Sequence, residues 1–416
     1  MIPYGKQSIS DDDIAAVVDV LRSDFLTCGP EVEAFESEFA AMVGAKHAVA
    51  VCNATVALHL AMLVAKIGPG DRVITSPNTF LSSANCAAFV GAIPDFCDID
   101  PQTYNICPET LARDWQDDTK AVVAVAYAGQ SADMPAIAEI ARSRGAIVIE
   151  DGCHGMGGGF SHEGKNYKIG GHPWADMSTF SFHPVKTMTT GEGGMLVTDN
   201  DQYAQTARLL RSHGMTRNAT EFIGLVDPDI SDSSNPSSGI IAQSTTSHLP
   251  SHALAERGPW YYEMQSLGFN FRITDFQCAL GLSQLKRLPE FVSRRRDIVA
   301  RYNDALAGLP WLETPGVPDE RERGEISWHL YTVQIDFDKI GKSRTEVMMA
   351  LREQGIGTQV LYIPVHLQPW YRRTYGYAQG KCPVAETYYT RALSLPLYPS
   401  MSDDEVDQVV TGVKSL

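Results

Sequence analysis

The residue in this chain best placed for covalent chemistry is Lys186, which closes the run Phe180-Ser181-Phe182-His183-Pro184-Val185-Lys186 ahead of a glycine-rich turn at 189–194. A lysine amine condenses with an aldehyde once its pKa is low enough to leave part of it neutral. A second run, 146–150, reads as a buried strand and leads into Asp151 and then Gly152-Cys153-His154-Gly155. A carboxylate at such a strand end can pair with a pyridinium nitrogen and keep that ring able to accept electrons. His154 can stack on the same ring or hydrogen-bond to it. A third strand, 48–51, runs into Asn53-Ala54-Thr55 and a helix at 56–65. Small polar residues at a helix start offer backbone N–H groups and a hydroxyl to an anion, and Ser181 adds a further hydroxyl. Phe80 follows the strand at 72–75 and offers an aromatic face. Each residue alone also fits a plainer role: a solvated lysine, a turn aspartate or histidine, an ordinary helix cap, a core phenylalanine. Together they supply an amine, a carboxylate, an anion cradle and an aromatic face, all after strands of one sheet.

The elements that must position them alternate. Short β-branched runs at 48–51, 72–75, 121–125, 146–150, 177–182 and 195–198 are mostly separated by helical patterns. This predicts βαβ crossovers and a mostly parallel sheet covered on both faces, an α/β fold. Ser10 and the Asp11–Asp13 triplet predict one early helix, and Pro30 begins a second. Open α/β sheets place ligands at strand C-terminal edges, where all four candidate regions fall. The Ser-, Asp- and Pro-rich stretch at about 218–255 shows no periodicity and reads as a surface excursion. Beyond it come helices at 275–288 and 289–306, strands at 330–335 and 358–361, and helices at 344–354, 384–392 and 403–413. A large domain over 1–281 and a smaller α+β domain over 282–416 are expected.

The whole chain, 416 residues, is long for one core. Its formal charge of -16 repels phosphate backbones, so a nucleic-acid partner is not expected. The eight cysteines include no C-x-x-C pair and read as thiols of a reducing compartment. The N-terminus carries no signal-peptide pattern, and no apolar run reaches the roughly 18–20 residues that span a bilayer. A cytoplasmic protein with no membrane partner is expected. The histidines at 154, 162, 172 and 183 match no zinc spacing, so no metal is expected.

The combined motifs resemble the DegT-type nucleotide-sugar aminotransferases of pyridoxal 5'-phosphate (PLP) fold type I, which share the aspartate aminotransferase-like architecture. The likeness runs from Ile2-Pro3-Tyr4-Gly5 through EDGCHG at 150–155, SFHPVKTMTTGEGG at 181–194 and LGFNFRITDFQCALGLSQL at 267–285 to SWHLY at 327–331 and PVHLQPWY at 364–371. It is similar in particular to the branch that aminates C4 of a UDP-linked 4-keto-6-deoxy-hexosamine on the way to pseudaminic acid. The resemblance implies that Lys186 binds PLP covalently and that Asp151 pairs with the ring nitrogen. It implies that His154 and Phe80 contact the ring, and that Ala54, Thr55 and Ser181 hold the phosphate. It places Asn270 on the phosphate of a neighbouring subunit's cofactor, which makes the unit a homodimer. Tyr4, Leu26, Thr27, Cys28, Gly29, Trp328, His329, Leu330 and Tyr331 would line the sugar-nucleotide site. L-Glutamate would donate the amino group and a UDP-linked keto sugar would accept it. The chain departs from the family in having Asn53-Ala54-Thr55 where Ser-Gly-Thr is common, and Leu361 where a histidine often stands. Sugar dehydratases of this fold carry histidine in place of the lysine, so Lys186 argues against that activity. A non-catalytic sugar-nucleotide sensor would not need the full set of catalytic residue types.

Overall fold

The computed structural model describes residues 1–222, 260–317 and 326–416. The excursion expected at 218–255 therefore lies largely outside the described residues. A seven-stranded sheet forms the centre, in the order β1-β9-β8-β5-β4-β2-β3. Its strands are β1 (His47–Val51), β2 (Arg72–Thr75), β3 (Ile93–Phe96), β4 (Thr119–Val125), β5 (Ile147–Asp151), β8 (Met177–Ser181) and β9 (Gly194–Thr198). A hairpin of β6 (Gly159–His162) and β7 (Lys165–Lys168) stands apart from it. The central pairs from β3 to β8 are parallel, and β9 runs antiparallel to both β1 and β8.

Alternation along the strands sorts the core into two layers. On one face Val49, Val51, Val73, Val123, Ile149 and Leu196 pack against α3 (Ala54–Val64), α4 (Ser82–Phe89) and α7 (Asp201–Arg211). On the other, Ala48, Ala50, Met195 and Val197 meet α2 (Pro30–Val43) and α8 (Asp275–Leu306). Val122, Ala124 and Val148 on that same face meet α5 (Pro108–Arg113) and α6 (Met134–Ser143). The first helix, α1 (Asp11–Leu21), starts at Ser10 with a capping box closed by Asp13. Asp13 is fully buried and accepts from Gln284 Nε2 at 2.6 Å, which ties α1 to α8.

Three expectations need correction. The helices expected at 275–288 and 289–306 are one helix of 32 residues with Pro289 inside it. Proline removes one backbone bond, but Leu288 and Val292 are buried in the large-domain core, and Ile298, Val299 and Tyr302 in the C-terminal one. Burial on both sides of the proline holds the helix together, and the expected boundary at 281/282 falls inside it. The strand expected at 358–361 is an isolated bridge between Gln359 and Ser394. Conversely, β3 was hidden by Pro94; it pairs with β2 alone at the sheet edge, where a missing N–H is tolerated.

The C-terminal part builds a three-stranded antiparallel sheet, with β13 (Tyr331–Ile335) between β12 (Leu312–Glu313) and β14 (Ala392–Leu395). The second half of α8 and the helices Arg344–Glu353 and Asp403–Lys414 cover it around Val333, Val347, Leu351 and Val409. A short pair, β10 (Met215–Thr216) with β11 (Glu263–Met264), completes the strands of the described residues. Among the described residues no helix is long and apolar enough to cross a membrane.

Candidate active site

Two neighbouring strands deliver the chemistry at their C-terminal ends. Asp151 is the last residue of β5, one position earlier than a loop placement would have it, and Ser181 is the last of β8. The chain then turns through His183, whose carbonyl accepts from the Lys186 amide at 2.9 Å. Phe182 pins both ends of this loop: its amide donates to Gly193 O, and its carbonyl accepts from Thr190 N and Thr189 Oγ1. The Phe182 ring is buried against Phe35 and Phe39, at centroid distances of 5.2 and 5.5 Å. Lys186 thus rides on a loop closed by backbone bonds and floored by aromatic rings.

Burial holds the Lys186 amine below the ordinary lysine value, against the opposing pull of Cys153 and Asp151. Burial also pushes the Cys153 thiol well up. Cys153 is therefore neutral, which leaves Asp151 as the acidic side chain opposing the lowering of the amine. Asp151 is buried, accepts from Ser83 Oγ at 2.6 Å and from the Cys153 amide at 3.2 Å, and forms no ion pair among the described residues.

His154 is neutral for the same reason: burial pushes its pKa well below the usual histidine range, and nearby Lys186 adds to that. Its Nδ1 accepts from the Ala128 amide at 3.3 Å, so the ring proton sits on Nε2 and points at Tyr362 Oη, 3.2 Å away. The Tyr362 ring lies nearly parallel to it, at 6.1 Å between centroids and 21° between planes. His329 approaches His154 to 4.4 Å between ring centroids, and its buried Nδ1 has no hydrogen-bond partner among the described residues.

The candidate anion cradle lies at the start of α3. The Asn53 side chain caps the Val56 amide at 3.0 Å, which leaves the Ala54 and Thr55 amides outside the intrahelical ladder. Thr55 Oγ1 is 2.6 Å from Ser82 Oγ. The first residue of β9, Gly194, crosses directly beneath. A Cβ there would come within 2.6 Å of the Ala54 nitrogen and the Asn53 carbonyl oxygen, and closer still to the Asn53 carbonyl carbon. Backbone cannot swing aside, so Gly194→Ala should push α3 away from the cradle. The expected outcome is a loss of about 1–3 kcal/mol in stability, with weaker retention of PLP, read by thermal melting and by cofactor dissociation.

The other expected residues fall into two groups. Phe80 is exposed, with its ring 6.3 Å from that of Tyr362, and Asn270 is exposed at a bridge to Ser212. Tyr4 is half-buried, its carbonyl accepting from Leu397 N, and burial pushes its phenol up. Leu26–Gly29 is tied to the start of α8: Leu26 O accepts from Asp275 N, and Gly29 N donates to Asp275 Oδ2 at 2.9 Å. Gln277 then links that helix start to Glu192 of the lysine loop. Of Trp328 to Tyr331, His329 faces the site through His154. Tyr331 instead packs on Tyr302 and donates to Asn303, and Trp328 joins it in the C-terminal core. Leu330 is buried beside Tyr127 and Phe96. Of these four residues, each expected to line the sugar-nucleotide site, Trp328, Leu330 and Tyr331 are thus buried in packing, and His329 is the one that approaches His154. Three residues escaped notice in the sequence: Thr79, Ser83 and Tyr362. Among the described residues no cluster of three or more His, Cys, Asp or Glu is arranged to hold a metal; His172 pairs with buried Glu150 at 3.2 Å.

The arrangement fits PLP. A buried carboxylate can pair with a protonated ring nitrogen, a desolvated amine can condense with an aldehyde, and helix-start amides can hold a phosphate. Comparison with known proteins agrees. Residues 7–414 match the DegT/DnrJ/EryC1/StrS aminotransferase family model. The chain is 42% identical over its full length to the spore coat polysaccharide biosynthesis protein SpsC of Bacillus subtilis, covering 97% of that protein. Its fold is similar to Helicobacter pylori PseC, an aminotransferase of pseudaminic acid biosynthesis, with TM-score 0.82, 26% identity and coverage of 100% and 98% of the two chains. It is likewise similar to Spr1654 of Streptococcus pneumoniae in its PMP form, with TM-score 0.84, 26% identity and the same coverage.

Proposed function

Because the chain belongs to the DegT/DnrJ/EryC1/StrS aminotransferase family and is a PLP-dependent sugar aminotransferase, we propose that it moves the amino group of L-glutamate to C4 of a UDP-linked 4-keto-6-deoxy-N-acetylhexosamine. The observation that carries the catalytic part is the desolvated Lys186 amine within electrostatic reach of buried Asp151. Lys186 holds the cofactor. Asp151 pairs with its ring nitrogen, His154 and Phe80 bound its ring, and Ala54, Thr55 and Ser181 grip its phosphate. Bound there, PLP supplies an electron-accepting ring and carries the amino group between half-reactions. Lys186 Nζ takes a proton from the α-carbon of glutamate in the first half and delivers one to sugar C4 in the second. His154 cannot compete for that proton, since its own site disfavours a charge. Tyr4, Leu26–Gly29 and His329 are the residues proposed to meet the sugar nucleotide. Asn270 comes from a second copy of the chain; its exposure, and that of Phe25, Leu26, Phe89 and Leu267, supports a homodimer with shared sites.

The likeness to PseC and the SFHPVK and PVHLQPWY motifs support the C4 acceptor. The identity to SpsC supports a second reading, a nucleotide-linked keto sugar destined for a surface polysaccharide. Colour separates them. The yellow holoenzyme should bleach with L-glutamate and regain its colour with the UDP-linked 4-keto-6-deoxy sugar. Recovery with a different nucleotide-linked keto sugar alone would support the second reading and overturn the first.

A further inference from the structure

The Asp151 carboxylate does not stand free at the end of β5. Its Oδ2 accepts from Ser83 Oγ at 2.6 Å, and Ser83 Oγ lies 2.7 Å from Thr79 Oγ1. All three side chains are buried, with Thr79 and Ser83 at 2% and 0% exposure, so no bulk water replaces either hydroxyl. The direction of this chain follows from counting protons. A serine hydroxyl has one hydrogen, and a carboxylate can only accept. Ser83 therefore spends its hydrogen on Asp151, and Thr79 must donate to Ser83 Oγ. The second carboxylate oxygen, Oδ1, is held from the opposite side by the Cys153 amide at 3.2 Å. One donor comes from α4 and the other from β5's own turn, so rotation about the Asp151 Cβ–Cγ bond is fixed by two separate elements.

We infer that Ser83 is a positioning residue for Asp151, the middle of a one-way donor chain from Thr79 through Ser83 to the carboxylate. The inference rests on the reading of Asp151 as the partner of the cofactor ring nitrogen. Donors to a carboxylate favour its charged form, and a polarised hydroxyl chain is a stronger donor than a lone serine. A charged, fixed carboxylate keeps the proton on the ring nitrogen. With Ser83 removed, Oδ2 loses its donor in a dry site, and the ring proton is held less firmly.

The test uses holoenzyme carrying PLP isotope-labelled at its ring nitrogen, followed by NMR, alongside the dissociation constant of PLP. In Ser83→Ala the nitrogen resonance should move toward that of unprotonated pyridine, and PLP should bind about tenfold more weakly, the size of one charge-assisted hydrogen bond. Ser83→Thr, which keeps the hydroxyl, should restore both. Thr79→Val should move the resonance the same way by less. A Ser83→Ala holoenzyme that melts earlier yet keeps the parent resonance and PLP affinity would overturn the inference and leave Ser83 a packing residue. Asp151→Asn is the control. If that variant also keeps the parent resonance, the reading of Asp151 fails first; if it shifts while Ser83→Ala does not, the donor chain alone is wrong.

Discussion

Lys186→Ala should lose turnover by more than about 10⁴-fold while the apoprotein folds normally. Removing a general acid–base group costs about 10²–10⁴ in rate, and Lys186 is also the proposed covalent anchor, so both losses fall on one side chain. Folding should not suffer, for an electrostatic reason. Burial lowers the amine's pKa in the folded chain, so below the unfolded lysine value the unfolded chain binds more protons than the folded one. Stability owed to this group therefore rises with pH toward that value, and at neutral pH the buried amine is a burden that alanine lacks. Apo Lys186→Ala should melt no lower than the apo parent, with the comparison most favourable at low pH. The same sign applies to catalysis: the parent's rate should climb as pH rises through the lowered Lys186 titration and flatten above it. Steady-state rates and melts of both proteins check this. A variant with parental turnover would sink the assignment of Lys186.

The second large effect is expected at Asp151. Asp151→Asn should lower kcat/KM by about 10²–10⁴-fold, the equivalent of the roughly 3–5 kcal/mol lost when one partner of a buried ion pair is removed. Asparagine is also a poor fit to its neighbours. Both carboxylate oxygens accept, one from Ser83 and one from the Cys153 amide. An amide must turn its NH₂ toward one of those donors, which leaves two hydrogens facing and an acceptor lost. That mismatch costs about 1–3 kcal/mol of apoprotein stability, so melting should fall along with rate. Asp151→Ala removes the clash and separates the two effects: its rate should be no better than that of the asparagine variant. An asparagine variant with parental kcat/KM would show that no ring-nitrogen partner is lost.

Much of the fold was legible because most strands of the central sheet are short, buried runs rich in β-branched residues. Arg72–Thr75 was placed to the residue, and β1, β4, β8 and β9 to within two. What was illegible depends on tertiary contacts. Pro289 reads as a helix break until the two cores flanking it are known. Pro94 argues against a strand unless that strand is known to lie at an edge. In the site, Lys186, Asp151 and His154 announce themselves by type and position within a motif. Ser83 does not, because its partner is 68 residues away. Tyr362 was passed over for its neighbour Leu361, and its contact with His154 spans 208 positions. Within Trp328–Tyr331 the sequence did not separate packing residues from His329. A motif marks a stretch, but Tyr331 opens β13 and packs in the C-terminal core, while His329 lies in the irregular segment before that strand and approaches His154.

The unbroken α8 bears on how far this protein is modular. Its first half lies in the core beneath β1 and β9, and its second half forms part of the C-terminal core. A cut or an insertion at 281/282 would leave either piece with a fragment of a helix whose apolar stripe has lost its neighbour. The C-terminal part cannot be exchanged for a relative's as a cassette without carrying the whole rod with it. Recombination at that point is disfavoured, so divergence in acceptor preference is channelled into point changes and loop replacements around a fixed spine.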